Sequence, residues 1–225
     1  ATSITNEFPK HQFGWKVLGI VLKQSGRVSE SLVASQTAVQ LVPQDANAHY
    51  NLANTFTELE RLAEAEASFK QSIALKADFA EAHSNLGNTL QELGRLKEAQ
   101  DSYMQAIALK PDYAEAHSNL GNTLKKAGKL EEAKVSYRQS IALAPDYAEA
   151  HSNLGITLQE LGILDEAEAS YKQAIVLKPD LAEAHSNLGF TLQELGRLGE
   201  AEASFKQSIA LNPDFADAHY NLANT

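Results

Sequence analysis

The chain has no cysteine, one tryptophan, one methionine and six prolines in 225 residues. Without cysteine there is no disulfide framework, no thiolate nucleophile and no sulfur ligand set for a structural zinc. No run of about 18 apolar residues occurs, so no stretch has the length to cross a bilayer as a helix. The opening, ATSITNEFPKH, lacks the basic flank and apolar centre of a secretory signal. The expected setting is therefore cytoplasmic. Positive charge is also scarce, 19 Lys and Arg against 29 Asp and Glu for a net charge of −10. That balance opposes the counterion release that drives nucleic-acid binding and the attraction to anionic membranes, and favours neutral or cationic protein or peptide partners. A glycine-rich phosphate loop and a convergent nucleophile–base pair are missing too, so neither an enzyme activity nor a cofactor is expected.

What the chain does contain is a period. The octapeptide AEAHSNLG begins at Ala80, Ala114, Ala148 and Ala182, and aligning on it gives six 34-residue units without insertion: 12–45, 46–79, 80–113, 114–147, 148–181 and 182–215. Residues 1–11 read as the end of a preceding partial repeat, and 216–225 as the truncated first helix of a seventh. Numbering each unit from Gln12 or its equivalent, leucine holds position 7 throughout (Leu18, Leu52, Leu86, Leu120, Leu154, Leu188). Proline holds position 32 in every unit but that of Ala77, and proline cannot sit inside a helix, so each unit ends there. Glycine at position 15 (Gly26, Gly94, Gly128, Gly162, Gly196) divides each unit, because only glycine takes a left-handed helix-ending conformation without steric cost; Glu60 is the exception. Apolar residues at positions 4, 7, 8, 11 and 14, then 17, 20, 24, 27 and 28, have helical spacing. Each unit is thus an antiparallel helix hairpin. Asp112-Tyr-Ala-Glu115 has the form of a capping box, with equivalents at Asp78, Asp146, Asp180 and Asp214 that are expected to cap the first helices. One hairpin cannot bury its apolar stripe alone, so neighbours stack into a solenoid.

Leu86, Gly87, Leu90, Ala99, Tyr103, Ala106 and Pro111 in one unit, with Phe69, Tyr137, Tyr171 and Phe205 at the aromatic position of others, resemble the tetratricopeptide repeat. The resemblance implies an all-α, right-handed superhelical solenoid with the first helices lining its concave face. The first unit departs from it, with Ser31 and Ser35 where the family prefers alanine and an aromatic.

Two residues recur on the first helices. Histidine at position 4 (His49, His83, His117, His151, His185, His219) reads as a metal row or as packing. Equivalent residues in stacked hairpins lie at least about 8–10 Å apart, too far to share an ion, so a locally hydrogen-bonded packing ring is expected, with Trp15 in the same place in the first unit. Asparagine at position 6 (Asn51, Asn85, Asn119, Asn153, Asn187) and position 9 (Asn54, Asn88, Asn122) falls on the stripe opposite the core. A carboxamide both donates and accepts, so such a row suits the backbone of an extended peptide. It is similar to the asparagine ladder in the tetratricopeptide region of O-linked N-acetylglucosamine transferase-type proteins. The alternative is that these residues only tie neighbouring hairpins together.

Ile156 and Phe190 replace asparagine at position 9 in adjacent units and are expected to face the groove as an anchor for a ligand side chain. The lysines and arginines at positions 2, 5 and 6 with which other members of the family clamp acidic chaperone tails are missing. From Ala46 to Phe215 the stripe instead holds eight acids (Glu58, Glu81, Glu92, Glu115, Glu149, Glu160, Glu183, Glu194) and Lys126. The expected function is a protein-interaction module, part of a larger protein. The alternative is a scaffold forming a homo-oligomer through uncapped repeat ends.

Overall fold

The computed structural model describes Glu7 and residues 9–225, so the part of the expected partial repeat at residues 1–6 and 8 lies outside the described residues. Among the described residues the chain is all-α, with thirteen helices from Gln12 onward. It divides into two compact units, one ending at Pro111 and one beginning at Asp112.

In the upstream unit the helices are α1 (Gln12–Gln24), α2 (Val28–Leu41), α3 (Ala46–Glu58), α4 (Leu62–Leu75), α5 (Ala80–Glu92) and α6 (Leu96–Leu109). They pack as the hairpins α1/α2, α3/α4 and α5/α6, each stacked on the next. The downstream unit contains α7 (Ala114–Lys126), α8 (Leu130–Leu143), α9 (Ala148–Glu160), α10 (Leu164–Leu177), α11 (Ala182–Glu194), α12 (Leu198–Leu211) and α13 (Ala216–Ala223). Its hairpins are α7/α8, α9/α10 and α11/α12, with α13 against α12.

The turn inside each hairpin follows from position 15. Gly26, Gly94, Gly128, Gly162 and Gly196 have φ between 72° and 75°, and Glu60 is driven into the same left-handed region at φ 57°. A β-carbon there crowds the backbone by roughly 1–2 kcal/mol. The close fit within each hairpin follows from position 8. A β-carbon added to Gly87, Gly121 or Gly155 would lie 2.7 Å from the ring of Tyr103, Tyr137 or Tyr171. These rings and the position-20 alanines Ala99, Ala133 and Ala167 are fully buried. Helix approaches helix because one side is only a backbone. In the first hairpin the pairing is Gly19 with Ser35, and the core shrinks to Leu18, Leu22 and Ala34 with Trp15 beside them. Ser31 and Ser35 are buried there and held by polar contacts: Ser31 Oγ donates to the Gly19 carbonyl at 2.8 Å, and both hydroxyls approach Thr55 Oγ1, at 3.3 and 3.5 Å.

The expected capping boxes do not form. The N-cap residues are Phe79, Tyr113, Tyr147, Leu181 and Phe215, none making a side-chain cap, so the aspartate before each lies one residue too early. Only before α3 does an aspartate stand at the cap itself. Asp45 accepts from the amides of Asn47 (2.9 Å) and Ala48 (3.2 Å), and also binds Gln12 and Lys16, each at 2.7 Å. The aromatic N-caps exchange a hydrogen bond for packing: Tyr50, for example, stacks on Phe79 with ring centroids 4.8 Å apart.

Candidate functional site

Six of the first helices, α1, α3, α5, α9, α11 and α13, are pinned at their start by position 4. The Nε2 atoms of His49, His151, His185 and His219 lie 2.9, 3.0, 3.0 and 2.8 Å from the carbonyls of Pro43, Pro145, Pro179 and Pro213, and His83 lies 3.2 Å from that of Ala77. A carbonyl only accepts, so Nε2 carries the proton. Trp15 Nε1 makes the same bond to the Pro9 carbonyl at 2.8 Å. Among the described residues no group of three His, Asp or Glu side chains is placed to hold a metal.

One turn further along lie the asparagines, all half-buried. In the upstream unit Asn85 Nδ2 donates to Asn54 Oδ1 at 2.9 Å and to the Tyr50 hydroxyl at 3.0 Å, linking α5 to α3. In the downstream unit Asn153 Nδ2 donates to Asn122 Oδ1 at 3.1 Å, linking α9 to α7. Position 6 of one repeat therefore reaches position 9 of the repeat before it. Position 9 also receives a tyrosine from its own hairpin: Tyr103 Oη donates to Asn88 Oδ1 at 2.6 Å and Tyr137 Oη to Asn122 Oδ1 at 2.7 Å. Burial, with the charge of Glu160 nearby, pushes the Tyr137 and Tyr171 hydroxyls far above the usual phenol range, so they remain donors. Asn119 is half-buried on α7 at the equivalent place. The rungs are the tie between hairpins that the sequence offered as the alternative to peptide binding, and they use one end of each carboxamide.

The ladder breaks where position 9 is not asparagine, at Ile20, Ile156 and Phe190. Ile156 is half-buried and packs on the downstream core, offering no acceptor. Gln159, one turn later, takes its place: its Oε1 accepts from Tyr171 Oη and from Thr191 Oγ1, both at 3.1 Å. Asn187 is then left without a side-chain partner among the described residues, and lines a cavity of about 250 Å³ with Phe190, Phe215, Asp217, Asn221 and Gln159. Phe190 is 37% exposed. Of the two expected anchors, Phe190 thus lines this cavity, while Ile156 is not in its lining and is half-buried against the core. In the upstream unit Ile20 occupies position 9 of the first repeat, and Asn51 on α3 likewise makes no side-chain hydrogen bond among the described residues. A cavity of about 210 Å³ opens there, lined by Ile20, Asn51, Asn54, Lys23, Ser35 and Thr55.

Sequence inspection missed Gln159, the tyrosine hydroxyls and the coincidence of break with cavity. Gln159 carried no distinguishing signal, since Gln91 and Gln193 hold the same position beside different neighbours. The acidic stripe is also less bare than the count of charges suggests. Glu81 pairs with Lys110 at 3.7 Å, Glu149 with Lys178 at 3.1 Å and Glu58 with Lys23 at 3.9 Å. Where position 31 is Asn212, Glu183 has no such lysine.

The TPR repeat profile matches residues 53–94, 88–128, 121–162 and 158–196, and the tetratricopeptide repeat profile matches 182–215. No curated protein matches significantly. Among solved structures, PilF of Pseudomonas aeruginosa is 20% identical with a TM-score of 0.84, the match covering 95% of this chain and 97% of that one. YrrB, described as a TPR protein with an unusual peptide-binding site, is 24% identical with a TM-score of 0.70, covering 83% and 96%. A chain of the APC/C hetero-tetramer Cut9–Hcn1 is 18% identical with a TM-score of 0.80; the match takes in 99% of this chain but only 44% of that one. These likenesses establish the fold, and among the described residues no helix is long and apolar enough to cross a membrane. With the helix hairpins, the glycine-to-tyrosine contacts and the profile matches over most of its length, the chain belongs to the tetratricopeptide repeat family, a family of protein-interaction modules.

Proposed function

We propose that the chain holds extended polypeptide segments against the first helices of its repeats. The observation that carries this reading is the pair of carboxamides, Asn51 and Asn187, that the ladder leaves unpaired beside cavities. Asparagine in a helix interior is disfavoured against alanine by roughly 0.6 kcal/mol, and at these two positions no hydrogen bond within the described residues offsets it. A backbone amide of a bound segment supplies both the acceptor and the donor that such a side chain needs. The resemblance to the tetratricopeptide region of O-linked N-acetylglucosamine transferase-type proteins extends the reading: the held segment is presented to a catalytic domain carried elsewhere in a longer polypeptide. YrrB, with its described peptide-binding site, is a relative in fold that binds a ligand of this class.

Selection from a random displayed-peptide library on the full chain, followed by anisotropy titration of the selected peptides, tests the proposal. The double variant Asn51→Ala/Asn187→Ala is expected to weaken binding by about tenfold or more, each amide contributing on the order of 1 kcal/mol. Selection of no peptide, or of peptides that bind the double variant unchanged, would sink it.

A further inference from the structure

The cavity lined by Asn187 and Phe190 differs in chemistry from the one lined by Asn51 and Ile20. Its lining combines two aromatic rings, Phe190 and Phe215, with the Asp217 carboxylate and the side-chain amides of Asn187, Asn221 and Gln159. Asp217 forms no ion pair and no side-chain hydrogen bond among the described residues, and neither the Asn187 nor the Asn221 side chain has a partner there. Glu183 and Glu194, exposed on the same stripe of α11, add negative charge. Nothing cationic lines the cavity.

We infer that this cavity receives a basic side chain, arginine in preference to lysine, from a polypeptide segment held against the first helices. The inference rests on the peptide-holding reading above and specifies its ligand. The lining offers acceptors from two helices, Asn187 Oδ1 on α11 and Asp217 Oδ and Asn221 Oδ1 on α13, whereas Gln159 Oε1 already accepts twice. A guanidinium brings five N–H donors and no acceptor, and so uses these oxygens without leaving one of its own groups opposed. The faces of Phe190 and Phe215 attract a cation and cover the aliphatic stem. An acidic side chain meets Asp217 with like charge, and an aliphatic one leaves the carboxylate and two amides unpaired. The net charge of −10 steers a basic segment to the chain from a distance.

Titration of N-acetyl-arginine-N-methylamide into the ¹⁵N-labelled full chain, with the lysine, leucine and glutamate counterparts as comparisons, tests this directly. The arginine derivative is expected to move the side-chain amide signals of Asn187 and Asn221 along a saturable curve, the lysine derivative less, and the glutamate derivative not at all. Asp217→Asn should weaken the arginine response about fivefold to tenfold, as expected for loss of a partly solvated charge-assisted bond. Glu183→Gln, outside the lining, should stay within about twofold of the parent, and an unchanged thermal melt of both variants excludes unfolding as the cause. An arginine response no stronger than that of leucine, or one equally reduced by Asp217→Asn and Glu183→Gln, overturns the inference. The library selection separates the two levels. Peptides that bind through Asn51 and Asn187 but carry no basic residue overturn the arginine pocket and leave the peptide-holding reading standing; a saturable arginine response with no peptide selected does the reverse.

Discussion

Each of the two compact units contains one intact rung, with one break upstream, at Ile20, and two downstream, at Ile156 and Phe190, and the rungs are far more alike than the breaks. Asn85 to Asn54 upstream and Asn153 to Asn122 downstream are the same bond in the same register, at 2.9 and 3.1 Å. The breaks at Ile20 and Ile156 begin from the same substitution and end differently. Downstream, Tyr171 still needs an acceptor, Gln159 provides it, and the adjoining cavity is aromatic and acidic. Upstream, Ser35 stands where the tyrosine would be, nothing replaces the rung, and the cavity carries Lys23. The repeat thus keeps its hydrogen-bond frame uniform, and the chemistry of the adjoining surface varies where the frame is interrupted.

The largest test of this contrast lies beneath the rungs. Gly155→Ala places a β-carbon 2.7 Å from the fully buried Tyr171 ring, which has no room to retreat. A loss of roughly 1–3 kcal/mol is expected in denaturant unfolding. Gly19→Ala meets only Ser35 Oγ at 2.9 Å, an atom that can rotate away, and the gain in helix propensity offsets the contact, so stability should stay within about 1 kcal/mol of the parent. Equal losses at the two glycines would mean that the first hairpin is packed as tightly as the others.

A rung and a break are compared next. Asn153→Ala removes the bond to Asn122 while gaining helix propensity, so its stability should fall slightly or not at all. Asn187→Ala gains the propensity and loses no bond within the chain, which predicts a rise of roughly 0.6 kcal/mol. The difference of about 1 kcal/mol between the variants is the worth of a rung. Identical shifts in urea midpoint would show that the rungs contribute nothing.

The smallest effect compares a hairpin turn of each unit. Glu60→Gly relieves a left-handed residue at φ 57° and adds chain entropy to the unfolded state, for a net gain of about 0.5–1 kcal/mol. Gly162→Ala, the downstream counterpart at φ 73°, should lose a similar amount. A Glu60→Gly protein less stable than its parent would remove the claim that the turn is strained.

The hairpins were legible in the sequence because glycine, proline and small residues act through backbone geometry, which a period displays position by position. Partner choice was not, because it depends on residues at different positions compensating one another. Ile156 looks like a lost asparagine when position 9 is read alone, yet Gln159 three residues on restores the acceptor in a direction set by the fold. The capping aspartates were misread for a related reason. Their spacing to Glu81 or Glu115 fits a capping box, but a packed aromatic holds the cap position, and only the coordinates show which residue begins the helix. Phe190 is exposed and lines a cavity, whereas Asp217 and Asn221 gained their interest from α13 standing beside it.

The pin at position 4 sets how the repeat joints respond to their surroundings. A bond that donates from histidine Nε2 exists in the neutral ring with its proton on that nitrogen and equally in the imidazolium, which carries protons on both. Trp15, whose indole nitrogen can only donate, makes the same joint. What loosens such a joint is substitution on the ring: a group on Nε2 blocks the donor directly, and a group on Nδ1 leaves the neutral ring with a bare Nε2 that faces the carbonyl without a proton to give.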